Sequence, residues 1–334
     1  MNLFRRIFSQ PPNASLGGGE LPAAPVKDGD PGSSHKDDDP RLMSDASPAS
    51  EEIDAAVFRA LDGATRPLPQ ETMSPQFGND HLIFGQATDV GVLRPNNQDA
   101  MFSFFSTARS SDDWPDFGLF IVADGMGGHH DGEKASAITT RVVSSEVIST
   151  VFLPLLHGDN DASQMPLSEA MVEAVQKANA EIVNRVPEGG TTVTAVAVIG
   201  DLACVAHVGD SRVYQINHKS IEKITRDHSL VQRLIELDQL TPEEASEHPQ
   251  KNVLYRALGQ ADTLEVDIST RRLPPGSHLL ICSDGLWNQV PESEIKDIIA
   301  HTADPQEACN QLVALANNKG GIDNVTMILL RLPG

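Results

Sequence analysis

The chain has 334 residues, 47 acidic against 25 basic side chains, and a formal net charge of −22. That length allows one large domain or two smaller ones, with a core that needs no disulfide staples. The charge excludes the usual nucleic-acid-binding classes, which hold phosphate backbones with clustered Lys and Arg. Excess carboxylate serves solubility, but carboxylates gathered in one place would also hold hard cations. Cys204, Cys282 and Cys309 show no paired spacing, and in an apolar run a thiol behaves as a small hydrophobe. A reducing, cytoplasmic setting and a monomer are expected, rather than a disulfide framework or a zinc site. No apolar run reaches the roughly 20 residues of a membrane span.

In chain order, MNLFRRIFSQPP is too short in its apolar part for a secretory signal and reads as a disordered terminus. Residues 1–80 hold 10 of the 22 prolines, a GGG run and Asp37–Asp39, with 13 acidic and 7 basic residues. Such a segment buries too little apolar surface to offset its ordering entropy, so a mostly disordered tail is expected. One exception is 51–61, EEIDAAVFRAL, where Ile53, Ala56, Val57 and Ala60 lie at helical spacing behind Ser50. From His81 the texture changes. HLIFGQATDVG, AMFSFF and FGLFIVAD read as strands, Lys134–Phe152 and Leu167–Val186 as helices, and TTVTAVAVIG, LACVAHVG and SRVYQIN as strands. SLVQRLIEL and TPEEASEH read as helices, SHLLICSDG as a strand, SEIKDIIAHT and PQEACNQLVALANN as helices, and NVTMILLRL as a closing strand. The tight link Ile199-Gly200-Asp201-Leu202 suits an antiparallel hairpin. The expected fold class is α+β: antiparallel sheets with helices on their outer faces.

Aspartates recur at strand ends beside glycine or asparagine. Asp99 precedes a strand, Asp124 ends FIVAD, Asp210 ends CVAHVGD, Asp284 ends LLICSD, and Asp323 stands just before VTMILL. One such aspartate is an ordinary turn residue. Five, spread over the chain, can share one edge of packed antiparallel sheets, where they repel unless cations neutralise them. Oxygen ligands without cysteine select Mg²⁺ or Mn²⁺. Two such ions form a clamp for water attack on phosphorus, and Arg94, five residues before Asp99, suits two phosphoryl oxygens.

The segment VADGMGGHHDGEKAS at 122–136 offers two competing readings. Its glycine spacing fits neither phosphate-loop pattern. His129 and His130 are adjacent, which does not place two ligands on one helix face. The glycines are better explained as letting backbone approach a metal, with the Gly125 carbonyl a ligand beside Asp124.

The motifs GVLRPNNQDA, VADGMGGHHDGEKAS, GGTTVTAVAV, CVAHVGDSRVYQI, TRDHSLVQRL, HPQKNVLYRALG, LLICSDGLW and IDNVTMIL occur in this order. Together they resemble the bacterial branch of the type 2C serine/threonine protein phosphatases, metal-dependent hydrolases, over about 81–333. The resemblance implies a four-layer α-β-β-α sandwich of two antiparallel sheets. It implies hydrolysis of phosphoserine and phosphothreonine by a water bridging two Mg²⁺ or Mn²⁺ ions. Phosphorylated proteins, a Ser/Thr kinase among them, would be the substrates. By position, Asp124 would bridge the metals, with the Gly125 carbonyl on one of them. Asp284 and Asp323 would bind the second, and Asp99 would hold metal-bound water. Arg94 would bind phosphate, and Asp210, in GDSR with Ser211, would hold a third, weaker ion. Residues 225–258 would form a flap beside the substrate groove.

Two departures stand out. Gln98 occupies a position where many members carry Glu, lowering the ligand charge by one. Met126 occupies the position of a histidine proposed as general acid in eukaryotic members. His129 is a candidate proton donor or a structural residue, and His207 and His228 read as structural. The alternative reading is a catalytically silent phosphoprotein-binding module, resting on Gln98 and the tail. Against it stand the five aspartates, all present.

Overall fold

The computed structural model describes residues 81–107, 115–127, 131–157 and 165–334. The expected tail over 1–80, its 51–61 helix and His129 lie outside the described residues. Along Phe117–Gly127 successive apolar side chains go to two destinations. Leu119 and Ile121 join one core with helices, while Phe120 and Val122 join another between two sheets. Along Val325–Arg331, Met327 and Leu329 again part company with Ile328 and Leu330. Strand side chains alternate faces, so strands that are apolar on both faces need cover on both. That requirement generates four layers.

One sheet runs β1 (Ile83–Asp89), β11 (Val325–Arg331), β10 (His278–Cys282), β7 (Arg212–Ile216) and β8 (Ile221–Lys223). The other runs β2 (Asp99–Ser106), β3 (Phe117–Gly127), β5 (Val193–Ile199), β6 (Leu202–Val208) and β9 (Asp267–Arg272), with β4 (Gly189–Thr191) against the end of β3. Every strand pair is antiparallel. The Ile199–Leu202 hairpin forms as expected, with those two residues opposite one another.

Outside the second sheet lie α1 (Asp131–Val147), a π-helical turn at Ile148–Phe152, α2 (Leu153–His157) and α3 (Leu167–Arg185). By length and composition alone the helical run Asp131–His157 is apolar enough to cross a membrane. Its residues Ala135, Ile138, Val143, Val147 and Val151 pack instead into the core with Leu119 and Ile121. Between β8 and β9 come α4 (Leu230–Glu236) and α5 (Pro242–Ser246). The Thr241 hydroxyl and the Glu244 carboxylate form a capping box at the start of α5. After β10 come α6 (Asp284–Trp287), α7 (Glu292–His301) and α8 (Pro305–Asn318), the last two packed on the first sheet.

Three elements differ from expectation. TTVTAVAVIG divides at Thr192 into β4 and β5, because Thr192 turns both its N–H and its hydroxyl to the Asp124 backbone, at 2.8 and 3.0 Å. Asp284 opens α6 rather than ending a strand. Strands β8 and β9 went unread because neither has an apolar run; β9 is DISTRR, half exposed on a sheet edge.

Candidate metal and phosphate centre

Antiparallel pairing gathers the strand-end aspartates. Asp99 at the start of β2 stands directly opposite Asp124 near the end of β3. Asp284 follows β10, Asp210 follows β6, and Asp323 precedes β11. The loop from β1 to β2 supplies Arg94 and Gln98. Arg94, Gln98, Asp124, Gly125, Asp210, Asp284 and Asp323 line one cavity of about 260 Å³, with Met126 and Thr192. Asp99 sits beside it, half-buried, and Ser211 lies beneath, its hydroxyl 2.9 Å from that of Thr192. His207 and His228 do not line it. His207 is buried, its ring nitrogens bonded to Thr194 and the Arg226 carbonyl, and burial lowers its pKa to about 4. His228 Nδ1 accepts from the Gly209 N–H.

Charge in this cavity is poorly compensated. Burial pushes Asp99 up to about 6, against hydrogen bonds that pull it down. Burial, then the charge of Asp227, pushes Asp210 to about 7, with Arg212 opposing. Asp124 and Asp284 stand well above the ordinary carboxylate range, through burial first and then the charges of their aspartate neighbours. Among the described residues Arg94 is the one cation lining the cavity. It donates from Nη2 to Asp323 Oδ2 at 2.6 Å, a bond that raises its own pKa.

A bound divalent metal fits these residues. The Asp99 Oδ1 oxygen is buried with no hydrogen-bond partner among the described residues. Among the described residues the acidic lining is all oxygen donor, with no Cys or His, the donor set of Mg²⁺ or Mn²⁺. The carboxylates ring the cavity without closing, for among the described residues no three His, Cys, Asp or Glu side chains already form a ligand set. Gly125 is held tightly: its N–H donates to the Gln98 carbonyl at 3.1 Å, and a Cβ there would lie 2.2 Å from the Gly132 carbonyl oxygen. Only glycine lets these three backbone segments meet.

Several residues that organise the site escaped sequence reasoning. Ser283 donates to Asp99 Oδ2 at 2.8 Å and accepts from the Thr326 N–H at 3.0 Å. The Asn324 amide donates to the carbonyls of Val90 and Asn96 and accepts from the Gln98 N–H, so it sets the Arg94 loop. Trp287 Nε1 donates to the Asp210 carbonyl at 3.1 Å, and Asn288 donates to Asp284 Oδ2 at 3.1 Å. Their only signal was adjacency to a strand-end aspartate.

A larger cleft of about 450 Å³, lined by Arg212, Lys223, Asp227, Trp287 and residues of α4 and α5, suits an anion less well. Arg212 is already committed there, bonded through Nη2 to Asp227 at 2.7 Å and stacked 3.5 Å over the Trp287 ring.

A family model described as protein phosphatase 2C matches residues 95–317. A putative protein phosphatase 2C-type of Streptococcus pyogenes is 37% identical over 248 residues, 73% of this chain and 94% of the relative. The solved serine/threonine phosphatase of S. agalactiae is similar with a TM-score of 0.66 and 34% identity, covering 75% of this chain and 100% of that one. The solved catalytic domain of the phosphatase PstP, in complex with two manganese ions, is similar with a TM-score of 0.60 and 30% identity, covering 76% and 99%. By sequence and by its two-sheet sandwich, the chain belongs to the protein phosphatase 2C family.

Proposed function

We propose that the chain hydrolyses phosphoserine and phosphothreonine in proteins, a Ser/Thr kinase among them, at the cavity lined by Arg94, Asp124, Asp284 and Asp323. The observation that carries this is the meeting of buried, mutually repelling carboxylates with a single arginine at one sheet edge. Asp124, Gly125, Asp284 and Asp323 would hold two Mg²⁺ or Mn²⁺ ions, and Asp210 a third. When bound, such ions supply Lewis-acid charge and ease deprotonation of a nearby water.

The chain's own residues do the rest. Arg94 pairs with phosphoryl oxygens through its planar fork, which requires it to leave Asp323. Asp99, held through Oδ2 by Ser283 with Oδ1 unpartnered among the described residues, accepts from the attacking water and orients it towards phosphorus. As the water oxygen bonds to phosphorus the bond from phosphorus to the serine or threonine oxygen breaks, and the proton given up by the water ends on the departing alcohol. Met126, which lines the cavity, has none to give. The silent-module reading finds no support in the site, where no ligand aspartate is missing.

The test is Mn²⁺-dependent phosphate release from phosphoserine and phosphothreonine peptides by the full chain. Release no greater than in chelator would overturn the reading. Arg94→Ala should lower kcat/KM by roughly 100-fold, the order seen when one charge-stabilising donor is removed from a preorganised site. We also assign catalysis to the 81–333 domain alone. Deleting residues 1–80 should leave turnover of a small aryl phosphate within about twofold, since a segment of that composition adds no buried contact to a folded site. A collapse of that rate would place catalytic elements in the tail.

A further inference from the structure

The two loops that bring Arg94 and Asp323 to the cavity carry three exposed apolar side chains. Val92 and Leu93, just before Arg94, are 62% and 68% exposed, and Ile322, just before Asp323, is 47% exposed. Arg94 and Asp323 both line the cavity and are bonded to each other, so these three side chains stand on the two loops that meet there.

The loops are fixed to one another. The N–H groups of Val92 and Leu93 both donate to the Gly321 carbonyl, at 2.7 and 3.2 Å. Gly91 has φ +81°, and a Cβ there would lie 2.3 Å from the Asp323 carbonyl oxygen. The Asn324 amide clasps the same loop from below at Val90 and Asn96. Single exposed apolar residues are ordinary, but adjacent ones held on a tied scaffold at the mouth of a site mark a contact surface. The cavity's charge sharpens the choice of partner. Its lining holds four aspartates against one arginine, and that arginine is assigned to the phosphoryl group. Among the described residues no side chain beyond that arginine brings positive charge to the lining for an acidic flank, whereas an apolar flank finds Leu93, Val92 and Ile322.

We propose that Val92, Leu93 and Ile322 form a subsite for an apolar side chain flanking the phosphorylated serine or threonine, selecting apolar over acidic flanks. This rests on the phosphatase reading. The closing experiment uses the full chain with Mn²⁺ and phosphoserine peptides that differ only in carrying leucine, glycine or aspartate on either side. On at least one side kcat/KM for leucine should exceed that for aspartate by about tenfold, the scale of discrimination by one apolar contact. The triple variant V92S/L93S/I322S should bring that ratio close to one. L156S, which removes an exposed leucine of α2, should leave it unchanged. Leu93→Lys should invert the ratio in favour of aspartate, a gain that misfolding could not produce. Equal rates on all flanks in the wild type, or a ratio indifferent to both loop variants, would overturn the subsite and leave the phosphatase reading standing. Failure to hydrolyse any of the peptides would remove both.

Discussion

Asp124→Asn is expected to abolish metal-dependent phosphate release while making the metal-free protein harder to unfold. Loss of activity should be on the order of a thousandfold or more, about 4 kcal/mol or more of transition-state stabilisation, because this carboxylate is assigned to both ions. The opposite effect on stability follows from its surroundings. Loss of solvation raises the Asp124 pKa well above the ordinary range, and the charges of Asp99, Asp284, Asp210 and Asp323 raise it further. An amide of nearly the same shape removes one charge from the cluster. Each 1 kcal/mol of repulsion relieved should raise the unfolding midpoint by about 2–4 °C in a domain of this size. The measurement is thermal unfolding of wild type and variant in chelator, beside turnover in Mn²⁺. A variant that is inactive and also less stable without metal would show that Asp124 works through packing rather than through charge.

The second large effect is a pH dependence of stability that metal reverses. An unfolded aspartate titrates near 3.8, whereas in the folded chain Asp99 is raised to about 6 and Asp210 to about 7. Between those values the folded state binds more protons than the unfolded state, so stability falls as pH rises. In chelator the unfolding midpoint should therefore decline from about pH 4 to about pH 7 and level off above. Both groups retain most of their protons at pH 5; Asp210 must lose its proton to bind a cation and Asp99 to accept from the water beside one, so Mn²⁺ should stabilise the protein far more at pH 8 than at pH 5. At a free concentration of 100 times Kd a single ion adds about 2.7 kcal/mol. Denaturant titrations at the two pH values, with and without Mn²⁺, provide the check. A metal gain independent of pH would mean that these carboxylates are ionised before the ion arrives.

Sandwich and site were unequally legible in the sequence. Strands such as FGLFIVAD and NVTMILLRL announce themselves because they are apolar on both faces, as layers covered on both sides must be. The strands β8 and β9 gave no signal, since an edge strand half open to water carries polar residues that read as loop. The end of the TTVTAVAVIG run was obscured for another reason. Its break at Thr192 is imposed by hydrogen bonds to Asp124, some 68 residues away along the chain, and no local propensity encodes it.

The strand-end aspartates and Arg94 could be chosen from spacing and chemistry, because a carboxylate beside glycine or asparagine after an apolar run is a local pattern. Their convergence could not be. That depends on antiparallel register, which sets Asp99 opposite Asp124 and the end of β10 beside the start of β11, and on the packing of the two sheets, which brings Asp210 after β6 to the same cavity. The residues that aim the ligands were invisible for the same reason. Ser283 and Asp99 are 184 positions apart, and Asn324 and Gln98 are 226 apart. Sequence by itself determined which layers must form and which oxygen donors could serve a cation, since burial periodicity and ligand type are properties of single segments. Only the tertiary structure decided that the donors face one cavity, that Asp99 keeps an oxygen without a hydrogen-bond partner among the described residues, and that the loops of Leu93 and Ile322 are tied together at Gly321. Each of these is a contact between segments distant in the chain, set by sheet register and loop closure.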